Sequence, residues 1–109
     1  MHELGITQSI VETVLDSVGQ RRITGLCLEI GALSGVVSDS VRFCFDIVAQ
    51  GTALEGARLN IVEPPGRGCC RECGADFELD DLIVLCPCGS ADVAVTAGRQ
   101  LRVTSVEVE

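Results

Sequence analysis

Two short clusters of cysteine constrain this chain more than any other feature: Cys69-Cys70-Arg71-Glu72-Cys73-Gly74 and, with twelve residues between Cys73 and Cys86, Cys86-Pro87-Cys88-Gly89. A tetrahedral Zn²⁺ with bonds near 2.3 Å needs its sulfurs about 3.8 Å apart, and a Cys-x-x-Cys pair followed by glycine makes a turn tight enough to bring two of them together. The second pair is one residue shorter. Cys86 and Cys88 share a face if the chain between them is extended, a conformation Pro87 favours. Gly74 and Gly89 relieve crowding beside the metal. Cys69, adjacent to Cys70, could replace one of the four ligands.

Other chemistries fit less well. Seven cysteines cannot all pair as disulfides, and nothing at the N-terminus suggests export. A thioredoxin-like pair expects one Cys-x-x-Cys opening a helix, not two facing clusters. A structural zinc site is the reading that remains. A hydrolytic zinc would need an open coordination position, which four thiolates do not leave. The single histidine, His2, sits at the chain end, so no Ser-His or Cys-His couple is available and the chain reads as a non-enzyme.

With 109 residues there is room for one ordinary domain, or for a small domain carrying a smaller metal-stabilised one. Composition is 47% hydrophobic but 3% aromatic, without Trp or Tyr, so the core is built from Val, Leu, Ile and Ala. The formal net charge is −8, from sixteen acids against eight arginines and no lysine, which argues against a phosphate-backbone partner. No cationic stretch followed by an apolar run opens the chain, and no segment has the length of a membrane span. A cytoplasmic protein with reduced thiols is expected.

Along the chain, Leu4, Val11, Val14, Leu15 and Val18 recur at helical spacing, and Gly19 ends that helix. Ile23 to Ile30 alternates as a strand with Leu26, Leu28 and Ile30 on its buried side. Ser38 is expected to cap a second helix, with Asp39 in its first turn and Val41, Cys44, Phe45 and Val48 on its apolar side. Ala57 to Glu63 reads as a second strand, ended by Pro64-Pro65-Gly66. The following segment is below the roughly 40 residues at which a fold usually needs a metal or disulfides. After Gly98 a further extended run carries Leu101, Val103, Val106 and Val108, and its change of phase near Ser105 predicts a bulge or strong twist. That tail cannot fold alone, so it is paired with the earlier strands. The expected fold is α/β (α+β): a small three-stranded mixed sheet packed by two helices, with an inserted zinc-ribbon-like Cys₄ domain. Residues 1–65 and 97–109 would form the first domain and residues 66–96 the second.

His2 acquires chemical interest from its position. A histidine one residue after a free amine offers the α-amine, its own backbone amide once deprotonated, and the imidazole, which close two fused chelate rings on one metal. Planar nitrogen donors of this kind favour Ni²⁺ or Cu²⁺ over Zn²⁺. Glu3 can supply a further donor, and it also suits the first turn of a helix. Read in isolation, His2 is better explained as an idle imidazole on a frayed end, and only the context of the whole chain favours the chelate. Cys27 and Cys44 read as ordinary isolated thiols.

Met1-His2-Glu3-Leu4 opening a helix, then Leu28-Glu29-Ile30-Gly31-Ala32-Leu33-Ser34-Gly35-Val36, Phe43 and Phe45, Gly51-Thr52, Glu55-Gly56-Ala57 and the paired cysteines together resemble the hydrogenase nickel-incorporation metallochaperones, the HypA/HybF family. The resemblance runs through the whole chain in order. It implies a nickel-binding α/β domain and a zinc-binding domain in a protein that, with a partner GTPase, supplies nickel to the precursor of the [NiFe]-hydrogenase large subunit, and in some members serves urease. Carried over, it makes His2 the nickel ligand, with the Met1 amine and Glu3 completing the site, and Cys70, Cys73, Cys86 and Cys88 the zinc ligands. Ni(II) would be transient cargo and Zn(II) structural. The chain departs from the family at the second pair, where the usual pattern is Cys-Pro-x-Cys-Gly. No nucleic acid or membrane is expected as a partner, and the protein would act as monomer or homodimer. A zinc-ribbon adaptor for protein partners would use the same cysteines and ignore His2. Amines and imidazoles titrate near about 8 and about 6.5, so mild acid should loosen nickel before it loosens thiolate-bound zinc.

Overall fold

The computed structural model describes residues 2–19, 21–79 and 83–109. The elements, in chain order, are α1 (His2–Val18), β1 (Ile23–Ile30), α2 (Ser38–Val48), β2 (Arg58–Val62), β3 (Gly66–Cys70), β4 (Asp76–Leu79), β5 (Val93–Ala97) and β6 (Leu101–Val108). They form two three-stranded sheets, in the orders β2-β1-β6 and β4-β3-β5. Two compact units result: Met1–Leu28, Val36–Ile61 and Val103–Glu109 make the first, and Glu29–Gly35 with Val62–Arg102 make the second.

In the first unit the amphipathic spacing of α1 and α2 turns their apolar faces inward. Thr7, Val11 and Val14 of α1 and Val41 and Phe45 of α2 are buried, as are Ile23, Leu26 and Leu28 of β1. Thr7 lies on the buried face although it is polar, because its hydroxyl is satisfied within the helix by donating to the Glu3 carbonyl at 2.7 Å. Gly19 closes α1 with φ of 69°, a left-handed conformation that glycine adopts without a steric penalty. Leu54, from the turns between α2 and β2, is fully buried and fills the core where no regular element reaches.

The start of α2 differs from expectation. Ser38 is already helical, the capping position is Val37, and no side chain of the capping residue bonds the helix. The Ser38 hydroxyl is therefore not the N-cap acceptor.

Backbone hydrogen bonds give the strand directions around β1. Ile23 donates to the Ala53 carbonyl and Ala32 to the Pro64 carbonyl, so the chain numbers rise together on the β2 side, the parallel sense. On the β6 side Glu109 donates to Arg22 and Gly31 to Gln100, the antiparallel sense. The sheet is mixed, and α2 is the crossover between its parallel strands. Within β6, Val103, Val106 and Val108 are half-buried while Thr104 and Ser105 are exposed, so the change of phase falls inside one continuous strand.

The second unit rests on unusually small residues. In β3, Gly66, Gly68 and Cys70 face inward, and a Cβ on Gly68 would come within 2.7 Å of Val93 and 3.1 Å of Leu79. Leu33 enters the same unit and covers Gly66, while Gly31, Gly66 and Gly98 approach so closely that a methyl group on any of them would strike backbone or Leu33. The strands β4 and β5 flank β3 antiparallel, with Gly68 opposite Phe77 and Val95.

Candidate metal centre

Strand alternation sorts the adjacent thiols. β3 carries Cys70 on its buried face, so Cys69, one residue earlier, points to the other face, opposite Asp76 of β4. Burial and the neighbouring Asp76 carboxyl push the Cys69 thiol above its ordinary range. Cys69 therefore does not enter the cluster.

The structure brings together Cys70, Cys73, Cys86 and Cys88, whose sulfurs all lie within 4.8 Å of one another. Cys70 Sγ is 3.8 Å from Cys88 Sγ, and Cys73 Sγ is 3.6 Å from Cys86 Sγ. These separations match the edge of a tetrahedron with metal–sulfur bonds near 2.3 Å. Cys70 and Cys86 are buried while Cys73 and Cys88 are exposed, so each pair presents one sulfur to the interior and one to solvent.

Each pair sits on its own backbone loop, and the second is the first with one residue removed. In the first loop the Cys73 amide donates to Cys70 Sγ at 3.4 Å, the Gly74 amide to the Cys70 carbonyl at 2.9 Å, and the Cys70 amide to the Ala75 carbonyl at 2.9 Å. In the second the Cys88 amide donates to Cys86 Sγ at 3.4 Å, the Gly89 amide to the Cys86 carbonyl at 2.8 Å, and the Cys86 amide to the Ser90 carbonyl at 2.9 Å. Every closing bond spans one residue fewer. Gly74 and Gly89, with φ of 76° and 98°, make the reversal in both. The chain at Pro87 and Cys88 is thus a turn and not the extended segment expected from the sequence. The amide-to-sulfur bond survives the missing residue because the whole turn tightens.

The charges in the cluster are unequal. Hydrogen bonding by the Cys73 amide, with help from the Glu72 amide, pulls the Cys70 thiol down to about 6. For Cys86 the Cys88 amide acts in the same direction, but burial and the neighbouring Cys88 and Cys73 sulfurs outweigh it and push the thiol up to about 12. Four thiols held this close cannot all ionise without a counter-charge. A soft divalent cation would supply that charge, and the donor set, four sulfurs with no carboxylate or imidazole, suits Zn²⁺.

The other expected site lies at the head of α1. His2 is exposed, and its Nε2 is 3.7 Å from Glu3 Oε2. The Glu3 carboxylate accepts a hydrogen bond from the Val37 amide at 3.4 Å, and this bond first, then its own backbone amide, hold its pKa below the ordinary value. The Met1 amine lies outside the described residues. Cys27 and Cys44 are both half-buried and stand apart from the four-sulfur cluster; Cys27 Sγ accepts from the Asn60 side-chain Nδ2 at 3.5 Å. Sequence reasoning missed the Glu3–Val37 contact, since no local pattern links residues so far apart.

A family model described as hydrogenase/urease nickel incorporation, metallochaperone, hypA matches residues 1–108. The hydrogenase maturation factor HypA of Nostoc punctiforme is 46% identical over 109 residues, covering 100% of this chain and 96% of its own. That of Geobacter metallireducens is 49% identical over 110 residues, covering 100% of both. Among solved structures, the nickel metallochaperone HypA of Helicobacter pylori superimposes with a TM-score of 0.66 over 97% of this chain and 96% of that one, at 22% identity.

Proposed function

The chain belongs to the hydrogenase/urease nickel-incorporation metallochaperone family, HypA, and on that premise we propose that it binds Ni(II) through the Met1 amine, His2 and Glu3 and delivers it during maturation of [NiFe]-hydrogenase. The observation that carries this reading is the pairing of an exposed His2 imidazole with the Glu3 carboxylate at the first turn of α1, in a chain whose other potential metal-ligand cluster among the described residues is made of sulfur. A carrier has to select its ion and also give it up. Donors at a chain end serve both needs, because a recipient's ligands can displace them one at a time.

Zn(II) in this reading is structural, held by Cys70, Cys73, Cys86 and Cys88, and fastens the unit that contains β3, β4 and β5. When bound it supplies the counter-charge that lets all four thiols ionise. The unit containing α1 and α2 would be the nickel-binding part. The protein acts as a carrier and not as a catalyst, in the cytoplasm. Its partners are the hydrogenase-maturation nickel GTPase and the large-subunit precursor, with urease as a second recipient system. No helix among the described residues is long and apolar enough to cross a membrane.

Equilibrium dialysis of untagged protein against Ni(II) tests the assignment. His2→Ala is expected to lose nickel binding while keeping its zinc and its fold. Unchanged nickel uptake by that variant would refute the reading.

A further inference from the structure

One face of α2 has no partner within the described residues of the first unit. Phe43 and Ile47, one helical turn apart, are 69% and 50% exposed, and Val37 just before the helix is 54% exposed. Phe43 and Ile47 lie away from the face that buries Val41 and Phe45. Scattered exposed apolar residues such as Val37 need no explanation, but Phe43 and Ile47 converge. Phe43, Ile47 and Cys44 join Leu4 of α1 in lining an open groove of about 450 Å³, and the charged residues along it are Glu3 and Asp39. No arginine lines it. Asp46, exposed, continues the acidic edge two turns after Asp39, whereas Arg42 reaches the other way to donate to the Leu59 carbonyl at 2.9 Å.

We infer that this groove docks an amphipathic helix of a partner protein, one that presents bulky apolar residues at i and i+4 flanked by lysine or arginine. An apolar floor with helical spacing accepts such a side-chain pair, and an acidic border selects basic flanks. The same charges disfavour other occupants. A second copy of this chain would bring a net charge of −8, and neither of its helices is basic: α1 carries Glu3, Glu12 and Asp16 with no arginine, and α2 has Asp39 and Asp46 against Arg42. A two-fold contact would set acid against acid. An anionic bilayer would be repelled likewise. Because Glu3 borders the groove, an occupant lies next to the residues assigned to nickel; that consequence rests on the proposed function, whereas the docking itself needs no metal.

The test is a titration of the full-length, zinc-loaded, ¹⁵N-labelled protein, free of nickel, with a synthetic helical peptide. The peptide carries two leucines at i and i+4 and flanking lysines. One control has the same composition with the leucines on opposite faces; another has glutamate in place of lysine. Expected are amide shifts confined to residues 37–47 and the first turn of α1, with binding at least about tenfold tighter than for either control. Phe43→Ser and Ile47→Ser should each weaken it by at least about tenfold, and Phe43→Leu should restore it, with thermal midpoints showing that all three variants fold. His2→Ala should leave peptide binding unchanged, so a failure of the nickel assignment is read separately. Equal binding of the scrambled peptide, or no loss in Phe43→Ser, would overturn the inference. So would a dimer in sedimentation, or binding to phosphatidylserine vesicles, that Phe43→Ser abolishes.

Discussion

The Glu3 carboxylate accepts a hydrogen bond from the backbone amide of Val37 at 3.4 Å, which places an acid from the first turn of one helix at the N-terminus of the other. The amides at the start of α2 have no acceptor within their own helix, and the dipole there favours negative charge. Glu3 thereby satisfies the amide of the capping residue, whereas Ser38 was expected to accept from amides further into the helix. The proposed function assigns the same residue to nickel, and under that proposal the metal and the start of α2 would compete for one carboxylate.

The first prediction concerns acid. The contact holds the folded pKa of Glu3 below its ordinary 4.5, so its stabilising effect is complete above that value and disappears as the pH falls through the depressed pKa. The Val37 amide shift followed by NMR should titrate with a midpoint below 4.5, and Glu3→Gln should flatten the curve. A midpoint at or above 4.5 would contradict the assignment.

The second separates the adjacent thiols. Cys69→Ser should retain one zinc per chain, because Cys69 faces away from the cluster, while Cys70→Ser should lose most of it. Metal analysis after dialysis against a weak chelator decides between them; zinc loss in both variants would mean that Cys69 takes part.

Chelation provides the third. If the cysteine cluster fastens the second unit, a strong chelator should abolish hydrogen-exchange protection in β3, β4 and β5 and leave it largely intact in α1 and α2. Uniform loss across both units, or none in either, counts against a local structural metal.

The fourth is about packing. Leu54→Ala removes a fully buried side chain and should destabilise the first unit by about 3 kcal/mol. Gly98→Ala sets a methyl group against Gly66 at a φ of 106° and should destabilise the second by about 2–4 kcal/mol. Urea denaturation of zinc-loaded protein measures both.

A fifth uses the chain end. An N-terminal purification extension removes the free amine, and should weaken nickel binding at least about tenfold without altering zinc content. Equal affinities for tagged and untagged protein would argue for donors elsewhere.

Much of this was legible because it is local. The helical spacing of Val11, Val14 and Val18, the alternation of Ile23 to Ile30 and the glycine at 19 fixed α1, its end and β1 through short-range sterics and side-chain periodicity. The two cysteine pairs declared a four-sulfur centre by type and spacing alone. The turn at Pro87 was misjudged as extended, since a two-residue spacing permits either conformation and only the bonds to Gly89 and Ser90 choose between them.

The remainder depended on neighbours distant in sequence. Residues 69 and 70 are the same amino acid in succession, and which one meets Cys88 is settled by which face of β3 is buried, the face that carries Gly66, Gly68 and Cys70. Likewise the partner of Glu3 lies 34 residues away, and the exposure of Phe43 beside the burial of Phe45 follows from what α1 does and does not cover. The sequence by itself determined the two helices, the strands β1, β2 and β6 and the ligand chemistry, because those follow from each residue and its few neighbours. The tertiary structure alone decided which thiol faces inward, which acid caps α2 and which apolar side chains stay in water, because burial belongs to surfaces assembled from separate parts of the chain.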